Sequence, residues 1–363
     1  MTATISKKIR TRPSPGADGP ATVTVVISCY NYGRFLRAAV LSAVSQDDVT
    51  VDVIIVDDAS TDDSRDVAEL LSAEHGNVRV LTHNTNRGVV ETFNHGAKAA
   101  RGEFLVRLDA DDMLTPGSLG RSTRVARAYP SVGLVYGHPI HFSANVLPPP
   151  RLLASAWTIW PGREWLTDRC RSGINVITSP EVLMRRSVLE EIGYQAQLRH
   201  THDMELWFRL SAFADVAYIH GADQAWHREH SESLSAREVN VFVDLQERRE
   251  AFDVLFAGPA GSIAEAGELR RCATRALVEE ALKTARRELD RGAGQTDLFR
   301  SSRELARELA PGVVGTTAWT RLALRPGQTS RSARFTAAAL ARRMAARLRS
   351  ELQWRRWHRT GVY

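Results

Sequence analysis

From residue 22 the apolar positions follow two alternating periods. Thr22–Cys29 (TVTVVISC) and Val51–Val56 (VDVIIV) are short β-branched runs, the pattern of buried strands. Val78–Thr82 and Phe104–Leu108 predict two more. Between them, Phe35–Val44, Asp62–Glu74 and Gly88–Ala100 place apolar residues at helical spacing. Strands alternating with helices in this way predict a parallel, doubly wound sheet. Gly133–Phe142, Val176–Met184 and Val216–His220 read as further strands, and Asp203–Ala212 as a helix. Beyond about residue 236 the pattern is helical throughout, in Val239–Phe256, Ser262–Arg291, Asp297–Leu309 and Phe335–Trp357.

Composition narrows this picture. A chain of 363 residues with 43% hydrophobic and 25% charged residues suits one or two folded domains. No apolar run approaches the ~18 residues of a membrane span. The first twenty residues are polar and lack an apolar h-region, so 1–20 is expected to be a disordered leader. The three cysteines are scattered without metal-type spacing. That pattern fits a reducing cytoplasm and speaks against a disulfide framework or a structural zinc. The net charge of +6 is unevenly spread. Residues 311–363 hold eleven Arg and one Glu, leaving a net of −4 on the other 310.

Candidate chemistry gathers where strands end, the place where doubly wound sheets bind ligands. Asp109-x-Asp111-Asp112 follows the fourth strand and could hold a hard divalent cation shared with a diphosphate. A solvated helix-entry turn is the bland alternative. Asp57-Asp58 could accept from a base or ribose, or serve only a capping turn. Arg87 and Gly88 could meet a phosphate, or form a plain loop–helix junction. Asp203 opens a helix and could act as a general base, or merely complement the helix dipole. Trp226-His227-Arg228-x-His230-x-x-Ser233-x-Ser235 offers imidazoles, a guanidinium and hydroxyls, or a solvated loop.

Taken in order, these segments resemble the family 2 glycosyltransferases. VVISCYNYGRFLRAAVLSAVSQ is similar to the family's opening strand, Tyr-Asn turn and helix ending in Ser-x-x-x-Gln, here Ser42 and Gln46. VIIVDDASTDDS is similar to its Val-Asp-Asp-Gly-Ser-Thr-Asp segment, with Ala59 in place of Gly. NTNRGVVETFNHGAKAARGEFLVRLDADDML is similar to its Asn-x-Gly, Gly-Glu and Asp-Ala-Asp-Asp series. THDMELWFRLS resembles the segment of the catalytic acid residue, with His202 where Glu commonly stands. WHREHSESLS resembles its closing Tyr-Arg-x-His-x-x-Ser-x-Ser. The resemblance covers residues 22–235.

The resemblance implies a GT-A fold, a Rossmann-like, mostly parallel sheet flanked by helices, over 21–235. A C-terminal α-helical region with a basic amphipathic end follows over 236–363. It implies inverting, metal-dependent transfer of a sugar from a nucleoside-diphosphate sugar, UDP by family precedent, to a saccharide or lipid-linked acceptor hydroxyl. Asp203 would be the base. Ser28, Tyr30, Asn31, Asp58, Arg87, Gly88, Asp109, Ala110, Asp111, Asp112 and Arg228 would bind the nucleotide sugar. Asp109, Asp111 and His230 would hold Mn²⁺ or Mg²⁺. An acceptor region is expected within 143–201, with Trp157, Trp160, Trp165 and Trp207 as sugar-stacking candidates or core residues. The context implied is cell-surface polysaccharide or glycolipid assembly.

The basic tail adds a partner. Leu340, Met344, Leu348 and Leu352 recur every four residues among Arg342, Arg343, Arg347, Arg349, Arg355 and Arg356. This composition fits an interfacial helix on anionic lipid at the inner face of the membrane, with protein packing as the alternative. No nucleic-acid reading module accompanies it. A nicotinamide-dependent oxidoreductase would need G-x-G-x-x-G after the first strand, and a sugar nucleotidyltransferase a Gly-rich basic loop there; Ser28-Cys29-Tyr30-Asn31-Tyr32 is neither. A non-catalytic nucleotide-sugar-binding protein on the same scaffold is the remaining alternative.

Overall fold

The computed structural model describes residues 5–14, 19–143, 146–230, 240–291, 296–322 and 337–361. The β-branched runs form strands and the 3.6-period runs form helices. In chain order they are β1 (Ile9–Thr11), β2 (Ala21–Cys29), α1 (Gly33–Val44), β3 (Val49–Asp57), α2 (Ser64–Glu74), β4 (Val78–Thr82) and α3 (Val89–Ala99). There follow β5 (Phe104–Asp109), β6 (Met113–Leu114), α4 (Ser118–Ala128), β7 (Val132–Phe142), β8 (Ala156–Trp160) and α5 (Gly162–Ser172). Then come β9 (Leu183–Arg185), α6 (Arg186–Ile192), α7 (His202–Phe213) and β10 (Asp215–Arg228).

The strands form one ten-stranded sheet in the order β1-β8-β10-β7-β9-β5-β2-β3-β4, with β6 on β10. The order reverses direction at β2, flanked by β5 and β3, which is the switch point where such sheets open a crevice. The sheet is parallel through β4, β3, β2 and β5 and between β7 and β10. It is antiparallel wherever β1, β6, β8 or β9 joins. The expectation of a mostly parallel sheet is therefore met in one half only. The other half is mixed: β7 and β10 pair in parallel, while β8 and β9 run antiparallel to their neighbours.

Two further departures concern single segments. Within 1–20, expected to be a disordered leader, Ile9–Thr11 forms a strand against Trp157–Ile159. The expected strand Val176–Met184 shrinks to Leu183–Arg185; residues 176–178 are irregular and a turn closes over 179–182. Proline at 180 cannot donate to a ladder, and Glu181 captures two backbone amides of the same segment.

The core is built from the faces the periodicity marks. Val23, Val25 and Ile27 of β2 and Val53 and Ile55 of β3 pack with Leu36, Ala39, Val40 and Ala43 of α1, all buried. The paired motif residues Ser42 and Gln46 tie this helix to the segment after the acidic cluster. Leu114 N donates to Ser42 Oγ (3.0 Å), Gln46 Nε2 donates to Thr115 O (3.0 Å), and Leu119 N donates to Gln46 Oε1 (3.1 Å). The four tryptophans considered for sugar stacking are all buried, each at 3% exposure or less, and belong to the packing. Their indole surface is worth more in a core than on a polar rim.

Residues 1–166 and 175–236 form one unit and residues 167–174 and 237–363 a second. The second unit is helical, with Val241–Ala257, Ala266–Asp290, Asp297–Leu309 and Ala337–Thr360. Among the described residues no helix is long and apolar enough to cross a membrane.

Candidate active site

Strand register brings the candidate residues level. Ser28 stands opposite Val56 on one side and Asp109 on the other, and Cys29 opposite Asp57. The carboxyl ends of β2, β3 and β5 thus lie at one edge of the sheet.

At the β3 end, Asp58 is buried. Its Oδ1 accepts from Arg87 N (2.8 Å) and lies 2.7 Å from His83 Nδ1, and its Oδ2 accepts from Gly88 N (2.9 Å). Asp58 therefore fastens the Asn86-Arg87-Gly88 loop. Gly88 sits at φ +84°, a conformation that favours glycine, and a Cβ there would meet open space. His83 Nε2 lies 2.9 Å from His95 Nδ1, with the two rings stacked. Asn31, at φ +59°, accepts through Oδ1 from Thr61 N (2.8 Å) and Asp62 N (3.3 Å), so its side chain organises the β3 loop. Ala59 also lies at φ +59°, which explains the glycine usual there. Tyr30 is exposed, and the buried Ser28 Oγ has no hydrogen-bond partner among the described residues.

At the β5 end the three aspartates diverge. Arg107 Nη2 donates to both oxygens of Asp109 (2.8 and 3.1 Å). Asp111 Oδ2 lies 2.8 Å from His230 Nε2. Burial first, and then the Asp109 charge, raise the Asp111 pKa, with His230 opposing. Asp112 is buried; its Oδ1 accepts from Arg228 N (2.8 Å) and its Oδ2 lies 3.1 Å from His227 Nδ1. Burial disfavours the His227 charge, but the Asp112 carboxylate outweighs it and raises the imidazole to about 9. Arg228 donates through Nε to Asp111 O (3.1 Å) and lies 4.5 Å from the ring centroids of both Phe35 and Phe142. Ala110 is buried between the aspartates. The antiparallel pairing of Met113–Leu114 with Ala225–Trp226 is what carries His227, Arg228 and His230 to the acidic cluster.

Of the expected metal ligands, Asp111 and His230 meet, while Asp109 is turned to Arg107. Among the described residues no three His, Cys, Asp or Glu side chains are placed to hold one ion. Ser233 and Ser235 lie outside the described residues.

Asp203 opens α7. Its Oδ1 accepts from Met204 N (2.6 Å) and its Oδ2 from Ser179 Oγ (3.2 Å). Burial pushes its pKa up to about 6, with the nearby Arg107 charge opposing. His202, standing where Glu is usual, is buried; burial and Arg107 push it down to about 3, so it is neutral. Arg107 thus acts on Asp109 and Asp203 together. Sequence reading passed over Arg107, Ser179 and Glu181. An arginine inside the apolar run FLVRLD was the available signal for the first. The Ser-Pro pair, a turn signal, was the one for the others.

The description of the family model that matches residues 24–193 is Glycosyl transferase family 2. Residues 24–193 therefore resemble a family 2 glycosyltransferase domain. An uncharacterized glycosyltransferase of Nostoc sp., alr2836, is 38% identical over 31% of this chain and 35% of its own length. The succinoglycan biosynthesis protein ExoO of Rhizobium meliloti is 36% identical over 31% of this chain and 32% of its own. The poly-beta-1,6-N-acetyl-D-glucosamine synthase of Staphylococcus epidermidis is 23% identical over 53% of this chain and 46% of its own. The chain spans less than half the length of each of these three relatives. In fold, this chain is similar to S. aureus TarS 1-349, solved in complex with UDP-GlcNAc, with a TM-score of 0.56 and 14% identity over 80% of this chain and 92% of that one. It is also similar to the mannosyltransferase PcManGT from Pyrobaculum calidifontis, solved with GDP-Man and Mn²⁺, with a TM-score of 0.50 and 17% identity over 91% of this chain and 88% of that one. The fold is GT-A.

Proposed function

We propose that this glycosyltransferase moves a sugar from a nucleoside-diphosphate sugar to an acceptor hydroxyl with inversion, in the assembly of cell-surface polysaccharide or glycolipid. The observation that carries the reading is the Asp109-Arg107-Asp203 grouping at the crevice of a GT-A sheet, with Asp203 held near pH 6. A base of that pKa is ionised at neutral pH and still able to take a proton. As the acceptor oxygen attacks the anomeric carbon, Asp203 takes its proton. The bond from that carbon to the leaving oxygen breaks, and the electron pair departs on the diphosphate. A single displacement from the opposite face inverts the centre.

Ser28 Oγ, unpartnered among the described residues, Tyr30 and the remaining acceptor capacity of Asp58 suit the nucleoside, with UDP the donor class favoured by family precedent. Asn31, Ala110 and Asp112 serve the nucleotide sugar by shaping the surrounding turns, and Arg87, Gly88 and Arg228 line the phosphate side. Asp111 and His230, with Asp109 once released from Arg107, are the residues that would hold Mn²⁺ or Mg²⁺. Two carboxylates beside an imidazole form a donor set suited to these ions. When bound, such an ion neutralises charge on the leaving diphosphate. The relative named for succinoglycan biosynthesis supports the polysaccharide context.

A nucleotide-sugar-binding protein without turnover is the second reading, favoured by His202 in place of Glu and by the engagement of Asp109 with Arg107. Thermal-shift binding of UDP, GDP, dTDP and CDP, each with Mn²⁺, Mg²⁺ or EDTA, tests the proposal, because a ligand of the native state raises its stability. One nucleotide should stabilise only with metal, and its sugar conjugate should then be turned over. No shift with any nucleotide overturns both readings, and a shift without donor turnover leaves the second.

A further inference from the structure

The turn that interrupts the expected strand Val176–Met184 has a specific construction. Glu181 is 3% exposed. Its Oε1 accepts from Thr178 N (2.6 Å) and its Oε2 from Ser179 N (3.0 Å). Val182 N closes the turn by donating to Ser179 O (3.2 Å). Burying a carboxylate to fasten four residues is costly, and burial pushes Glu181 up to about 7. An apolar residue continuing the strand would avoid that cost. What the turn accomplishes is the placement of Ser179, itself 6% exposed, with its Oγ donating to Asp203 Oδ2 at 3.2 Å. The other oxygen of Asp203 is held by Met204 N. Both carboxylate oxygens are thereby given a direction, one by the helix it opens and one by a segment more than twenty residues earlier in the chain.

We propose that Ser179 and Glu181 are positioning residues for the base: Glu181 clasps the 178–181 turn, and the turn presents the Ser179 hydroxyl that orients Asp203 and favours its ionised form. The proposal rests on the reading of Asp203 as the base of a sugar transfer. A hydroxyl donating to a carboxylate stabilises the charged form. Losing it raises the carboxyl pKa, and half to one unit corresponds to about a three- to tenfold change in ionisation constant.

The direct test is a titration of the full chain carrying ¹³Cγ-labelled aspartate. The Asp203 resonance is assigned by its loss in Asp203→Asn, and the wild-type midpoint is expected near pH 6. Ser179→Ala should raise the midpoint by about half to one unit, and Ser179→Thr, which keeps the hydroxyl, should restore it. Glu181→Ala should move it the same way, and the double variant should move it no further than the larger single change, since both act through one hydrogen bond. With the donor found by the nucleotide panel, Ser179→Ala should lower kcat, shift the acid limb upward and leave donor KM unchanged. An unmoved midpoint in Ser179→Ala, in a variant whose denaturation midpoint matches wild type, overturns the proposal. Additive shifts in the double variant overturn the clasp as the link between Glu181 and Asp203. Shifts as expected in a wild type that turns over no donor refute the transferase reading, and the positioning role falls with it.

Discussion

A single carboxylate sets the pH behaviour of this chain's proposed reaction. Asp203 is lifted to about 6 by burial, against the Arg107 charge. It must be ionised to accept a proton, so turnover should fall as pH drops through about 6, in a profile of kcat against pH. Asp203→Asn should lower turnover by roughly 10²- to 10⁴-fold and leave nucleotide-induced thermal shifts intact. Loss of nucleotide binding instead would assign Asp203 to the donor pocket. The same scale explains the change at 202. A buried neutral imidazole contributes no charge, and the field of Arg107 that adds to burial in holding it neutral also reaches Asp109 and Asp203.

At the scale of elements, the crevice depends on how closely helices approach the sheet. A Cβ at Gly96 on α3 would lie 2.4 Å from Val26 Cγ1 and 3.0 Å from Val56 Cγ2. Those valines belong to β2 and β3, the strands whose ends carry Ser28 and Asp58. Gly96→Ala should cost roughly 1–3 kcal/mol of stability by overpacking, read as a lower denaturation midpoint. The short pairing of β6 with β10 matters for the opposite reason. Two ladder positions carry the imidazoles of a segment more than a hundred residues later to the acidic cluster. That pairing was not legible from periodicity, because Met113–Leu114 is too short to show a period. The segment 176–184 fits a strand by its apolar ends, Val176-Ile177 and Val182-Leu183-Met184, but the buried carboxylate of Glu181 between them captures the amides of Thr178 and Ser179.

For the whole molecule, the ion pair of His227 with buried Asp112 joins the end of β10 to the acidic turn. His227 is raised from 6.5 to about 9. A raised folded-state pKa contributes stability that is complete below the unfolded value and is lost as pH climbs through the folded one. Denaturation midpoints should therefore decline between about pH 6.5 and 9, and His227→Gln should flatten that decline. At the far end of the chain, the helix Ala337–Thr360 exposes Met344 at 74%, Leu348 at 61% and Trp354 at 56% among its arginines. Arg342 is engaged by Asp290, while Arg347, Arg349 and Arg356 are exposed. We propose that this helix is the lipid contact its composition suggests, in which case reversing those three exposed arginines to Glu should abolish flotation of the full chain with anionic vesicles. Equal flotation of both forms would remove this helix from membrane attachment.

The alternation of strand and helix, the core faces of α1 and β2, and the convergence of acids at strand ends were determined by the sequence alone. They follow from local periodicity and from strand polarity, which any stretch of chain carries within itself. Only the tertiary structure decided which partner each acid takes. Asp109 turned to Arg107, Asp111 to His230 and Asp112 to His227 because burial and strand pairing set the distances. The tail of β10 reached the acidic cluster, and Ser179 reached Asp203, by the same long-range contacts. A side chain's charge and donor capacity are written in its own residue, but the neighbour that uses them is fixed only when distant segments pack.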